Sequence, residues 1–201
     1  MGYVEYKDAI SEKSIKDSVS EIRKSENYVK IEDISEDFLI AIVAIEDHRF
    51  YSHSGFDLLA SARAIFVNVK IQSFDYGAST ITQQLGRLMY FTQEKEAVRK
   101  LAEIFVARNL EKEYEKADIL ELYVNIIYYG QGYYGIYDAS HGFFDKEPSE
   151  LTFDEATYLA GLTNAPSIYS EDKKLGEERR LQVVRAIEKY KEQIQNDKEE
   201  N

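Results

Sequence analysis

Phe38 to Ile45 is an uninterrupted apolar run, FLIAIVAI, that leads directly into Glu46 and Asp47. Wound as a helix it is apolar on every side, and a helix without a polar stripe has to be enclosed by other elements. It falls far short of the roughly 20 residues that cross a bilayer, so the enclosure has to be protein. Ser35 is placed to cap this helix, with Ile34 stapling its entry against Leu39. Elsewhere apolar residues recur three and four apart, as in Ile119, Leu122, Tyr123 and Ile126, and no Asn-Gly or Asp-Gly hairpin signal occurs. Thr152 and Glu155 form a capping box ahead of Ala156, Leu159, Ala160 and Leu162, in a helix that ends before Pro166. The fold class is therefore mainly α.

The chain has 201 residues, 44% hydrophobic and 31% charged, one domain's worth of length with enough apolar content for a packed core. No internal repeat or Pro/Gly/Ser linker divides it, and the closing NDKEEN reads as a fraying polar tail. With no Cys and three His, disulfide frameworks, thiolate zinc sites and thiol nucleophiles are excluded, and a histidine metal cage lacks ligands. A net charge of −12 argues against nucleic acid as a partner. The acidity is uneven, since Glu46 to Lys112 holds nine Lys and Arg against eight Asp and Glu. Such a block suits an anionic ligand, and chance variation explains it equally well. The opening MGYVEYKDAISEK lacks the basic and apolar regions of a signal peptide.

Glu46 and Asp47 emerge where an ionised carboxylate is costly unless paired or used. Two readings stay open: a general base tuned by burial, or a helix-end acid paired with Arg49 or water. His53, ahead of the Gly55-Phe56-Asp57 turn, is either a hydrogen-bonded structural histidine or a ligand or base. Over Gly77 to Arg87, helical winding puts Ser79, Thr82, Gln83, Gly86 and Arg87 on one face and Ile81, Leu85, Leu88 and Met89 on the other. The polar face offers hydroxyls, amides and one cation without a carboxylate, which suits phosphate or sugar oxygens, and free amides after Gly77 add donors. An ordinary capped surface helix is the competing reading. Arg99 and Glu103 lie four apart, a spacing also common in exposed pairs. Asn125, in the apolar ILELYVNII stretch, has to find partners and is expected to fix neighbouring loops. Leu58 to Phe74 combines apolar bulk with Arg63 and Lys70, as an interfacial segment does, or a core helix plus loop.

Taken in order, five stretches resemble the peptidoglycan glycosyltransferase family, glycosyltransferase family 51, found as monofunctional enzymes and as one half of class A penicillin-binding proteins. They are EDHRFYSHSG (Glu46 to Gly55), GASTITQQLGR (Gly77 to Arg87), RKLAEIFVARNLE (Arg99 to Glu111), KADILELYVNIIYYG (Lys116 to Gly130) and LTFDEATYLAGLTNAPSIYS (Leu151 to Ser170). The resemblance covers Tyr28 to Ser170. It implies a lysozyme-like helical head with a small membrane-associated jaw at about 58–75. It further implies a helical lead-in at 1–27 whose membrane anchor lies outside this sequence, and a C-terminal helix and polar tail at 171–201. The implied reaction is polymerisation of lipid II at the outer face of the bacterial cytoplasmic membrane, inhibited by moenomycin. In it the acceptor's 4-hydroxyl attacks the anomeric carbon of the growing chain, undecaprenyl diphosphate leaves and the configuration inverts. The implied partners are lipid II, the growing glycan, the membrane surface and other cell-wall synthesis or division proteins. A divalent cation, Mg²⁺ or Mn²⁺, is expected with the diphosphate, and no organic cofactor.

Carried over by position, Glu46 is the general base. Glu103 is the second essential glutamate, facing the diphosphate and acting through a divalent cation or by orienting basic groups. Arg87, Arg99 and Lys100 are the cations for the leaving diphosphate, and Ser79, Thr80, Gln83 and Gln84 line the donor site. Asp47, Phe50, His53, Glu121 and Asn125 are implied to hold the cleft's shape. Arg87 stands where most members have Lys, which turns a point donor into a fork; Asp145 and the lack of Pro after Ser170 alter loops. A lysozyme-like hydrolase or lytic transglycosylase is the main alternative, but it has no diphosphate for the second motif to bind. A silent glycan-binding module leaves Glu46 and Glu103 without a purpose.

Overall fold

The computed structural model describes residues 2–58, 79–91 and 96–199. Helices dominate: α1 (Gly2–Glu12), α2 (Ile15–Ile22), α3 (Glu36–Glu46), α4 (Ile81–Tyr90), α5 (Glu96–Glu113), α6 (Lys116–Ile126), α7 (Gly135–Phe144), α8 (Phe153–Leu162), α9 (Pro166–Glu171) and α10 (Lys173–Glu199). The protein is mainly α. Apart from Leu58, the stretch assigned to a jaw lies outside the described residues, as do Gly77 and Ala78. No helix among the described residues is long and apolar enough to cross a membrane.

Where the sequence reads as one domain, the contacts form two compact units, Met1–Glu21 with Arg49–Tyr123 and Ile22–His48 with Val124–Asn201. In the second unit α3 packs against α8 and α10, which buries Phe38 and Ala41 to Ala44 of the apolar run and leaves Leu39, Ile40 and Ile45 half-buried. Phe38, Ala41 and Ile42 of α3, Ala156, Leu159 and Ala160 of α8 and Val183 of α10 are fully buried. Ser35 takes the N-cap position of α3 without capping it. Its hydroxyl donates instead to Leu151 O at 3.3 Å and its amide to Pro148 O at 3.0 Å, tying the helix start to the segment that precedes α8. The Thr152–Glu155 capping box is present. Burial alone would raise the Glu155 carboxyl, but Lys146, 2.7 Å away, and Thr152 outweigh it and hold the group below its ordinary value. The polar end read as a fraying tail continues as helix to Glu199.

A short antiparallel hairpin, β1 (Tyr128–Gly130) with β2 (Tyr133–Tyr134), is absent from the sequence reading. Its turn places Gly130, Gln131 and Gly132 at φ of 96°, 53° and 89°, and flanking glycines make that left-handed path accessible without an Asn-Gly pair.

In the first unit α4 and α1 both pack on α5. Gly86 of α4 meets Val106 of α5 so closely that a Cβ would lie 3.0 Å from Cγ1. Tyr3 and Tyr6 of α1 meet the Phe105 ring at 5.2 and 5.7 Å.

Candidate active site

In the second unit, Glu46 is the last residue of α3, half-buried, and its Oε1 accepts a hydrogen bond of 2.7 Å from the Thr163 hydroxyl. Asp47 is buried and its amide closes the helix on Val43 O. Arg49, offered as a partner for Glu46, forms an ion pair with the buried Asp57 at 3.0 Å in the first unit. Asn125 uses both ends of its amide on one residue: Oδ1 accepts from the Val29 amide and Nδ2 donates to Val29 O, each at 2.8 Å. That pairing substitutes for a backbone ladder and anchors the chain ahead of α3.

The first unit collects the cations. Glu103 is 2% exposed on α5, with Arg99 Nε 3.3 Å from Oε1 and Lys100 Nζ 3.5 Å from Oε2. Lys100 also donates to the Ser79 hydroxyl. One buried carboxylate thus lies at ion-pair distance from two partly exposed cations. Arg87 is half-buried on the last turn of α4.

The face of α4 read as ligand-facing is turned inward over most of its length. Thr82 and Gln83 are fully buried, and Gly86 packs on Val106. Thr82 donates to Glu111 at 2.6 Å, so the face does meet a carboxylate. The helix begins at Ile81 with Thr80 as N-cap. Gln83 N–H donates to Thr80 Oγ1, Thr80 N–H donates to Gln83 Oε1, and Thr80 Oγ1 donates to Gly55 O at 2.7 Å. Gln84 accepts from the Tyr123 hydroxyl at 2.9 Å. Gln83 Nε2 is buried without a hydrogen-bond acceptor among the described residues.

Contacts among four of the motifs join them in the first unit. Lys116 places its ammonium 4.3 Å from the Phe50 ring centre and pairs with Glu111 at 2.6 Å. Phe50, Thr82, Glu111 and Lys116 come from four motifs and form one connected group. His53 packs edge-on to Phe50, and Glu121 is 5% exposed on α6.

Gly55 closes the first motif at φ +81°, where a Cβ would lie 3.0 Å from Ala107 C and O. Backbone atoms cannot swing aside, so Gly55→Ala is expected to destabilise the fold by about 1–3 kcal/mol. The measurement is urea unfolding, with a lowered midpoint at unchanged slope; an unchanged midpoint would show that the loop relaxes freely.

The pattern described as Transglycosylase matches residues 13–188, spanning all five motifs. The chain belongs to the transglycosylase family. Penicillin-binding protein 1F of Bacillus subtilis (strain 168) is 42% identical over 142 residues, 71% of this chain and 20% of its own length. Penicillin-binding protein 1A of Vibrio cholerae is 42% identical over 149 residues, 72% of this chain and 18% of its own length. A Cupriavidus necator protein with transglycosylase in its name is 43% identical over 151 residues, 75% of this chain and 65% of its own length. This chain therefore spans about a fifth of the length of the two penicillin-binding proteins.

Thr163 is a partner of the candidate residue Glu46 that sequence reasoning missed. It lies inside the fifth motif, but its partner is 117 positions away, and no local pattern links a hydroxyl at one helix end to a carboxylate at another.

Proposed function

We propose that this chain polymerises lipid II into β-1,4-linked glycan with release of undecaprenyl diphosphate. The observation that carries the reading is the Ser79, Arg99, Lys100 and Glu103 group, in which a buried carboxylate lies within 3.5 Å of two cations. A departing diphosphate needs pre-placed positive donors as its charge grows, whereas glycan cleavage by water has no such leaving group.

In the proposed step Glu46 takes the proton of the acceptor's 4-hydroxyl. The freed oxygen bonds to the anomeric carbon of the growing chain from the face opposite the leaving group. The bond to the diphosphate oxygen breaks with its electron pair, and the configuration inverts. Arg87, Arg99 and Lys100 stabilise the negative charge on the diphosphate, and Glu103 keeps Arg99 and Lys100 aimed. No group of three His, Asp or Glu side chains able to hold a metal occurs among the described residues, and both Glu103 oxygens face cations. A divalent cation therefore belongs in this reading to the incoming diphosphate, with no step assigned to it. The lysozyme-like head, the jaw, the growing glycan as partner and the outer membrane face belong to the same proposal, supported by membership of the family.

The test is incubation of the purified chain with lipid II and Mg²⁺ in detergent, with products separated on a gel. Glycan ladders abolished by moenomycin are expected. Cleavage of preformed glycan without any ladder would overturn the proposal in favour of a hydrolase.

A further inference from the structure

Glu46 ends α3, where unpaired carbonyls place the negative pole of the helix beside its carboxylate. A charge in that position needs a donor. Thr163, the first residue past α8, keeps helical angles (φ −58°, ψ −26°), and its Oγ1 lies 2.7 Å from Glu46 Oε1 and 2.9 Å from Ala160 O. Thr157, earlier on α8, shows the ordinary pattern, with its hydroxyl 2.8 and 3.1 Å from the Phe153 and Asp154 carbonyls of its own helix. Thr163 has one such carbonyl and, on its other side, a carboxylate.

A hydroxyl carries one proton and two lone pairs, so Thr163 donates to one of these oxygens at a time. Donation to an ionised carboxylate is charge-assisted, and the shorter distance is on that side. Once Glu46 carries the acceptor's proton on its other carboxyl oxygen, Oε1 remains a carbonyl-type acceptor for the Thr163 hydroxyl, with Ala160 O as that hydroxyl's alternative acceptor. Both protonation states keep their hydrogen bonds without backbone movement, and Thr163 neither gains nor loses a proton over the cycle. Other charged groups surround α3. Asp47 and His48 follow Glu46 in the chain, while Asp154 pairs with Arg180 and Glu155 with Lys146 at the opposite end of α8 from Thr163. On α10, Arg180 also holds Glu177, and Arg179 donates to Gln182 with its guanidinium 5.9 Å from the Tyr169 ring centre.

We propose that Thr163 is a positioning residue for Glu46, holding its carboxylate by Oε1 in the orientation from which it accepts the acceptor's proton. The inference rests on Glu46 as the base of the reaction proposed above.

The test labels the glutamate carboxyl carbons with ¹³C and assigns the Glu46 resonance by its loss in Glu46→Gln. At neutral pH, Thr163→Val, which keeps the shape and removes the hydroxyl, is expected to displace that resonance, and Thr163→Ser to restore it. With lipid II, Thr163→Val is expected to lower kcat about 10- to 100-fold, the worth of one hydrogen bond to a charged group, with KM little changed and Thr163→Ser near wild type. An unmoved resonance in Thr163→Val overturns the positioning role, and so does a wild-type kcat in that variant when the wild-type chain polymerises. A moved resonance with no polymer from the wild-type chain keeps the Thr163–Glu46 bond and overturns the reaction instead.

Discussion

Glu46→Gln is expected to lower turnover of lipid II by about 10²- to 10⁴-fold, the usual contribution of a positioned general base, with lipid II binding within a few-fold of wild type. Gln has nearly the same shape and keeps a carbonyl oxygen for the Thr163 hydroxyl, but it cannot take up the acceptor's proton. The fold is expected to survive, because the buried side of α3 is built by Phe38, Ala41 and Ile42, while Glu46 is half-buried at its end. Single-turnover rates and lipid II affinity, measured side by side, decide the matter. A loss below tenfold, ~1.4 kcal/mol of barrier, would move proton acceptance to another group. Equal losses in rate and affinity would make Glu46 a binding residue. The double variant adds a check, since removing the Thr163 hydroxyl from a chain that already lacks the base should cost little more turnover.

What was legible in the sequence was local. The apolar run of α3 and the Thr152–Glu155 box are decided by residues within one or two turns of each other, whereas α4, read as starting after Gly77, begins at Ile81 with Thr80 as its cap. Which face of α4 points inward was not legible. Periodicity separates Thr82, Gln83 and Gly86 from Ile81 and Leu85, but it cannot tell that a polar face will bury itself when Glu111 is there to receive Thr82 and Gly86 lets α5 approach. The hairpin after α6 was missed because its turn uses glycines on either side of Gln131 in place of the usual Asn-Gly pair. The family resemblance named candidate residues without their bonds: Gln84 to Tyr123, Thr80 to Gly55, Lys100 to Ser79 and Glu46 to Thr163 each join distant positions, and tertiary packing alone brings them together.

The second large effect falls at Glu103, where two explanations for one glutamate give different results. Its carboxylate is 2% exposed, while the side chains of Arg99 and Lys100 are 24% and 44% exposed, so the acid lies beneath the cations it holds. Glu103→Gln is expected to lower kcat about 10²- to 10³-fold, comparable to losing one pre-placed donor in a transition state. Simple electrostatics predicts the opposite trend for binding, because removing a negative charge beside two cations raises the local positive potential. Pyrophosphate should therefore bind the variant at least as tightly as it binds wild type. Slower turnover with undiminished anion binding would assign Glu103 the task of aiming Arg99 and Lys100, since charge alone would have helped. Turnover within tenfold of wild type would remove that task from Glu103. Titration with Mg²⁺ separates the remaining explanation: if high Mg²⁺ restores the variant's rate, the carboxylate acts through a cation on the diphosphate, and if the deficit is the same at every Mg²⁺ concentration, its partners are the two side chains already paired with it.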